Sequence, residues 1–336
     1  MIYTNNLTLV RLVLALIVVF VHFYTLININ NWLIEYALVS SRFAVEAFFV
    51  ISGYLIFMSY ENSSKFTDYL GKRLYRIYPA YFVVILSCSF LLFFLSTKPF
   101  YEYFSKEFFE YLTSNLVMLN FLSPTLPGVF VENTSSAVNG ALWTLKIEII
   151  FYLFVPIIVY FIKRYGFFKT FCFSYFISES YIFFIGMLVE QNEGLSVLMH
   201  QFPAQLRFFM FGSLFYYYAK LFKNKRFTLL ALGILFVVVN IIFDYSFLRP
   251  LSSGLLIMVL SLYFPFYSID KFGDYSYGIY IFHYPLIQSF IALGLISKLG
   301  LFYFSILFII ILCFIAYLSC HFVENKFKYK KNKSNK

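Results

Sequence analysis

The stretch Val10–Leu26, VRLVLALIVVFVHFYTL, holds two ionisable side chains, Arg11 and His22, in an otherwise apolar run. Eleven steps of 100° return to within about 20° of the starting direction, so both side chains share one helix face. They stand roughly 16 Å apart along the axis, about half the hydrocarbon thickness of a bilayer. Burying a cation near one surface and an imidazole near the other is costly unless both line a polar interior. The stripe points to a site reached from both sides of a membrane.

Composition agrees. The chain has 336 residues, 61% of them hydrophobic, 24% aromatic and only 12% charged, with mean hydropathy +0.79. A soluble domain of this length carries about twice the charge. The expected class is therefore all-α, a polytopic membrane protein. Apolar runs of span length predict ten transmembrane helices at 7–27, 36–60, 78–96, 141–162, 167–189, 204–221, 227–245, 250–268, 275–296 and 301–322. The fifth is the weakest, because Ser178, Glu179 and Ser180 interrupt it. One membrane domain over 1–325 and a basic tail over 326–336 follow, with no internal repeat. The first run leads into further apolar segments without a small-residue cleavage site, so a cleavable signal peptide is not expected. In the long connection 97–140, YEYFSKEFFEYLTSNLVMLNFL reads as an interfacial helix and SPTLPGVFVENTSSAVNG as loop. Cys88, Cys172, Cys313 and Cys320 lie in apolar runs without metal-ligand spacing, so neither a metal nor a disulfide framework is expected.

A net charge of +10 raises the possibility of nucleic acid, but its distribution argues against it. With both termini in the cytoplasm, the inner loops and tail hold 18 basic residues. The outer loops hold four, Lys98, Lys106, Arg249 and Lys298. That asymmetry is the positive-inside pattern, and the lysine-rich tail is most simply a topology signal, with attraction to lipid headgroups the lesser reading.

The intramembrane ionisable groups then sort by depth. His22, Arg42, Glu46, Lys146, Glu148 and Arg207 fall toward the outer side. Arg11, Lys72, Arg73, Arg76, His321 and Glu324 fall toward the inner side, and His283 near mid-depth. The outer set suits acid–base chemistry: His22 as base, with Glu46 or Glu148 fixing its tautomer. The plainer alternative pairs these glutamates with Arg42, Lys146 or Arg207 as buried ion pairs. The inner set suits phosphate, because Arg73 and Arg76 are three apart on a helix and guanidinium forks bind phosphate oxygens. Positive-inside anchoring accounts for Lys72 better than for Arg76.

Several stretches resemble the family-3 membrane acyltransferases, which O-acylate bacterial surface glycans, antibiotics and related acceptors. They are Arg11 with His22; SRFAVEAFFVISGYLI with Glu46; KRLYRIYPAY with Arg73 and Arg76; and ALWTLKIEIIFYLFVP with Trp143, Glu148, Phe151, Tyr152 and Pro156. RFFMFGSL and FGDYSYGIYIFHYPLI, with Ser276, Tyr277, Tyr280, His283 and Pro285, complete the set. Two positions depart from the pattern: Ile149 replaces a second acid, and VENK lacks a final proline. No extracytoplasmic hydrolase-like domain is expected after the last span.

The resemblance implies an enzyme in the bacterial cytoplasmic membrane with no permanently bound cofactor. Acetyl-CoA would be the donor, held by Arg11, Arg73 and Arg76. The acceptor would be a hydroxyl of a surface polysaccharide or its lipid-linked precursor. His22, as general base or as covalent carrier of the acyl group, would be catalytic with Glu46 and Glu148, and Trp143, Tyr277, Tyr280 and His283 would line the substrate channel. The composition leaves a transporter or flippase of a lipid-linked saccharide as the alternative. Against that stand the missing repeat and the lack of paired broken helices. A glycan polymerase would be expected to carry an arginine-rich outer loop, and 97–140 contains no arginine.

Overall fold

The computed structural model describes residues 6–29, 40–243, 245–264 and 273–327. The start of the second predicted span, the end of the eighth, Lys271 and nearly all of the basic tail lie outside them.

The described chain is all-helical. Its helices are α1 (Leu7–Leu26), α2 (Ser41–Glu61), α3 (Phe66–Leu91), α4 (Phe100–Tyr103), α5 (Lys106–Leu116), α6 (Trp143–Tyr165), α7 (Phe167–Gln191), α8 (Phe202–Tyr217), α9 (Ala219–Asn224), α10 (Arg226–Phe243), α11 (Arg249–Tyr263), α12 (Ser276–Ala292) and α13 (Leu295–Leu318). Among the described residues eight helical stretches are long and apolar enough to cross a membrane, α11 being counted with the 3₁₀ turn that precedes it, from Ser246. The sixth and ninth predicted spans became α8 and α12, which stop at 16 and 17 residues. The chain turns at Tyr218 after α8, and left-handed Gly294 follows α12. The third span also differs, since α3 begins at Phe66, twelve residues before the expected start. Its charged first turns, DYLGKRLYR, are helical without being apolar, so hydropathy missed them. In α13, left-handed Gly300 breaks the helix just before the predicted start at 301.

The chain divides into two compact units. The first comprises Met1–Leu14, Arg42–Tyr69 and Ile147–Lys271. Here α2 and α8 approach to backbone contact: a Cβ on Gly53 would collide with the Phe209 carbonyl, and one on Gly212 with that of Val50. Small residues permit this approach where no water-driven force exists between helices. Gly53→Val or Gly212→Val should lower stability by at least about 2 kcal/mol, because backbone cannot yield as a side chain does. Melting in detergent checks this, and an unchanged midpoint would refute the close approach. The polar interruption of α7 has a purpose in this unit. The Ser178 hydroxyl donates to the carbonyls of Pro203 and Ala204, at 2.6 and 3.2 Å, where α8 begins.

The second unit comprises Ala15–Ser41, Leu70–Lys146 and Phe272–Lys336. Phe23 of α1 packs on Phe304 and Phe308 of α13, and the Tyr81 hydroxyl of α3 donates to the Asn115 carbonyl at the end of α5. The helix expected in the connection 97–140 forms as two shorter ones, α4 and α5, and the residues from 117 to 142 are irregular.

Each unit holds a proline inside a helix, which removes one intrahelical donor. Pro156 leaves the Tyr152 carbonyl short of its bond, and the Tyr69 hydroxyl supplies one at 3.0 Å. Pro285 does the same to the Ile281 carbonyl, and Asn139 Nδ2 supplies that bond at 2.8 Å. In an apolar surround these side chains keep the helices intact.

Candidate functional site

His22, one turn before the end of α1, meets His283 of α12. Its Nδ1 lies 2.8 Å from His283 Nε2, with the ring planes within 6° of each other. His283 is fully buried, and its Nδ1 lies 2.7 Å from the Tyr280 carbonyl oxygen one turn back. A carbonyl can only accept, so in the neutral pair His283 carries its proton on Nδ1 and offers a lone pair at Nε2. His22 must then donate from Nδ1, which leaves its Nε2 without a proton. Two residues that the sequence placed in different roles thus form one hydrogen-bonded chain with a defined direction. Nδ1 of His22, the nitrogen expected to face a carboxylate, faces an imidazole.

The surroundings fix this pair. Tyr284 sets its ring edge-on to His22 at 5.4 Å. The Tyr280 hydroxyl is held by the Ala141 carbonyl at 3.0 Å and Thr144 Oγ1 at 2.8 Å, at the start of α6. The loop before α6 also grips α12. Gln288 Nε2 donates to the carbonyls of Ser135 and Ala137, at 2.6 and 3.0 Å, and Asn133 Nδ2 reaches the Gln288 carbonyl at 2.9 Å. Gly140 is needed there, since a Cβ would fall 2.8 Å from the Tyr284 ring. Sequence reasoning left Asn133, Asn139 and Gln288 out of the site. The asparagine–glycine pair at 139–140 signalled a turn but not what the turn would hold.

Arg73 and Arg76 lie in the second and third turns of α3, well inside the helix. Arg76 Nη2 forms an ion pair with Asp274 Oδ2 at 3.1 Å, and Asp274 also accepts from the backbone N–H and hydroxyl of Ser276 at the start of α12. The Tyr277 hydroxyl donates to the Ile77 carbonyl at 2.8 Å. Tyr277 and Tyr280 thus give their hydroxyls to the protein. Asp274, which pattern reading did not single out, ties Arg76 to the start of α12.

In the first unit the two glutamates separate. Glu46 is buried, and its Oε1 lies 3.3 Å from Arg42 Nε and 3.4 Å from Arg249 Nη2. Glu148 is half-buried; its Oε1 accepts from the Tyr152 hydroxyl at 2.8 Å and from Ser52 Oγ at 3.4 Å. The ion-pair alternative therefore describes Glu46 and not Glu148. Arg207 pairs with Glu179 at 2.6 Å, and Lys146 sits over the Phe121 ring at 4.4 Å. Arg11 is half-buried in α1, and Trp143 opens α6.

The family described as "Acyltransferase domain" matches residues 4–320. The chain belongs to that acyltransferase family. An "O-acetyl transferase" of Shigella phage Sf6 is 27% identical over 334 residues, 94% of each chain. "Nodulation protein 10" of Rhizobium leguminosarum bv. viciae is 30% identical over 168 residues, 47% of this chain and 44% of that protein. No solved structure matches.

For an acyltransferase the imidazole pair has direct meaning. Acyl transfer to a hydroxyl needs a base that removes the hydroxyl proton as oxygen attacks the carbonyl. His22 Nε2 has the free lone pair, and in that role His283 would stabilise the imidazolium by accepting from its Nδ1. A buried imidazole, itself oriented by a backbone carbonyl, would then stand where hydrolytic triads use a carboxylate.

Proposed function

We propose that this acyltransferase moves an acetyl group from cytoplasmic acetyl-CoA to a hydroxyl of a surface polysaccharide or its lipid-linked precursor, at the outer face of the bacterial cytoplasmic membrane. The observation that carries the reading is the directed chain from His22 through His283 to the Tyr280 carbonyl. The phage relative's name supports acetyl as the group moved. The distribution of lysine and arginine supports two cytoplasmic termini and ten crossings, with α8 and α12 as the short ones.

In this reading Arg73, with Arg76 and Arg11, holds the CoA phosphates from the cytoplasmic side. The acceptor hydroxyl gives its proton to His22 Nε2, and its oxygen bonds the thioester carbonyl carbon. The carbon–sulfur bond then breaks, and the proton passes from His22 to the leaving thiolate, giving CoA–SH and the acetyl ester. Glu148 is the carboxylate retained for the chemistry, because it is not paired with a cation among the described residues. Surrounding lipids and the acyl-CoA and glycan substrates are the partners implied.

The test is release of free CoA thiol from acetyl-CoA by the purified protein, dependent on added acceptor. It is read beside mass spectrometry of surface polysaccharide from wild-type and deletion cells. Loss of one acetyl per modified sugar on deletion is expected, and identical polysaccharides would refute the reading. A transporter predicts no thiol release.

The donor site makes its own prediction. Arg73→Ala should raise the KM for acetyl-CoA at least about tenfold, and Arg73→Lys should not restore it, because an ammonium lacks the planar fork. Arg76 already pairs with Asp274. If that pair is all Arg76 does, Arg76→Gln and Asp274→Asn will behave alike. A KM defect only in Arg76→Gln places it on the donor. Normal donor kinetics in all these variants would leave the arginines a purely topological role.

A further inference from the structure

The first unit gathers three guanidinium groups around two carboxylates. Arg42 and Arg249 share a single oxygen of Glu46, at 3.3 and 3.4 Å, and Arg207 reaches Glu179 at 2.6 Å. Guanidinium stays charged in any protein surround, so the cluster concentrates fixed positive charge. Arg42 is the second residue of α2, Arg249 the first of α11, and Arg207 lies in the second turn of α8. Arg42 and Arg249 each sit at a helix N-terminus, where the macrodipole is positive and a cation is disfavoured. His200, just before α8, is held below the ordinary imidazole range by burial and then by the charges of Arg42 and Arg249. The guanidinium charges and the helix N-termini favour an anion here, against the carboxylates of Glu46 and Glu179.

Two further observations mark it as more than an ion-pair network. The Arg207 side chain is 3% exposed, yet its Nε has no hydrogen-bond partner. A buried donor left unmet costs about 1–3 kcal/mol. The cluster is also sunken. Ser178 meets the start of α8, and the Tyr175 hydroxyl meets the Phe247 carbonyl just before α11, so both helices begin beside the middle of α7. Twelve residues of α7 continue beyond Glu179, about 18 Å of helix. Arg42, 53% exposed, keeps the cluster open.

We propose that Arg42, Arg249, Arg207 and His200 form an anion site for a lipid-borne phosphate. Resting on the function and orientation proposed above, it opens on the acceptor side of the membrane. The phosphate would be the one that joins an acceptor saccharide to its lipid carrier, or the headgroup of an anionic phospholipid. The guanidinium nitrogens, the unmet Arg207 Nε among them, donate to its oxygens.

The test is thermal unfolding of the full-length protein in detergent with farnesyl phosphate, with farnesol, and with phosphatidylglycerol. Farnesyl phosphate should raise the midpoint, while farnesol, the same chain without phosphate, should not. Arg42→Gln, at the half-exposed position, should weaken the effect about tenfold in ligand concentration. Arg249→Lys, which keeps charge but not the fork, should do likewise. Lys169→Gln, a control on α7, should leave the shift intact. If phosphatidylglycerol matches farnesyl phosphate and competes with it, the headgroup is the source; if only farnesyl phosphate acts, the carrier phosphate is. Equal shifts with farnesol, no shift with any phosphate, or full shifts in both arginine variants would overturn the site. None of these readouts requires acetyl transfer, so failure of the proposed reaction is seen separately.

Discussion

His22→Ala is expected to abolish acetyl transfer, by about 10³-fold or more, with the protein still folded in the membrane. General-base assistance alone contributes about 10²–10⁴, and in the proposed reaction the base also returns the proton to the leaving thiolate. The structural loss is small, because His22 is half-buried and its side chain gives up one hydrogen bond, net about 1 kcal/mol. His283→Leu should come close to the same defect without touching the base itself. It removes the acceptor at Nδ1 and lets His22 take the other tautomer. His283→Gln, which can place an amide oxygen near the same spot, should recover part of the rate and shift the pH profile. The measurements are acetyl transfer per folded molecule across pH, beside unfolding midpoints. Substantial transfer by His22→Ala would end the proposal that His22 is the base.

The second large effect separates the two glutamates. Glu46→Gln should destabilise. It leaves Arg42 and Arg249 without their shared carboxylate, and breaking a buried pair costs about 3–5 kcal/mol, less here because Arg42 is half-exposed. Transfer per folded molecule should change little. Glu148→Gln should do the opposite. Its partners are the hydroxyls of Tyr152 and Ser52, which an amide oxygen can also satisfy, so stability should hold while the rate falls. An active Glu148→Gln would remove that carboxylate from the chemistry, and a stable but inactive Glu46→Gln would reverse the assignment.

Much of the fold was legible because apolar run length is a direct physical requirement of a bilayer. Each predicted span has its helix, and the doubtful interruption at Ser178–Ser180 is where α8 docks against α7. The misplaced start of α3 had a different cause, since helix formation does not require apolar residues. Within the site, helical periodicity put Arg11 and His22 on one face but could not name what that face meets. His283 lies 261 positions away in sequence, and only packing brings it to His22. The same holds for Asp274 on Arg76 and for Arg249 on Glu46. The loop residues Asn133 and Asn139 read as turn formers, and their second task, bonding α12 backbone, depends on the fold.

The Tyr280 carbonyl ends the imidazole chain with a group that cannot take a proton at ordinary pH. A proton received by His22 therefore has no onward route through His283 and must leave by the edge at which it entered. Each turnover, in the proposed reaction, then releases as thiol the same proton taken from the acceptor, and no charge is carried across the bilayer. Acetylation should accordingly continue at full rate in vesicles whose membrane potential and proton gradient have been collapsed by an uncoupler, driven by the thioester alone.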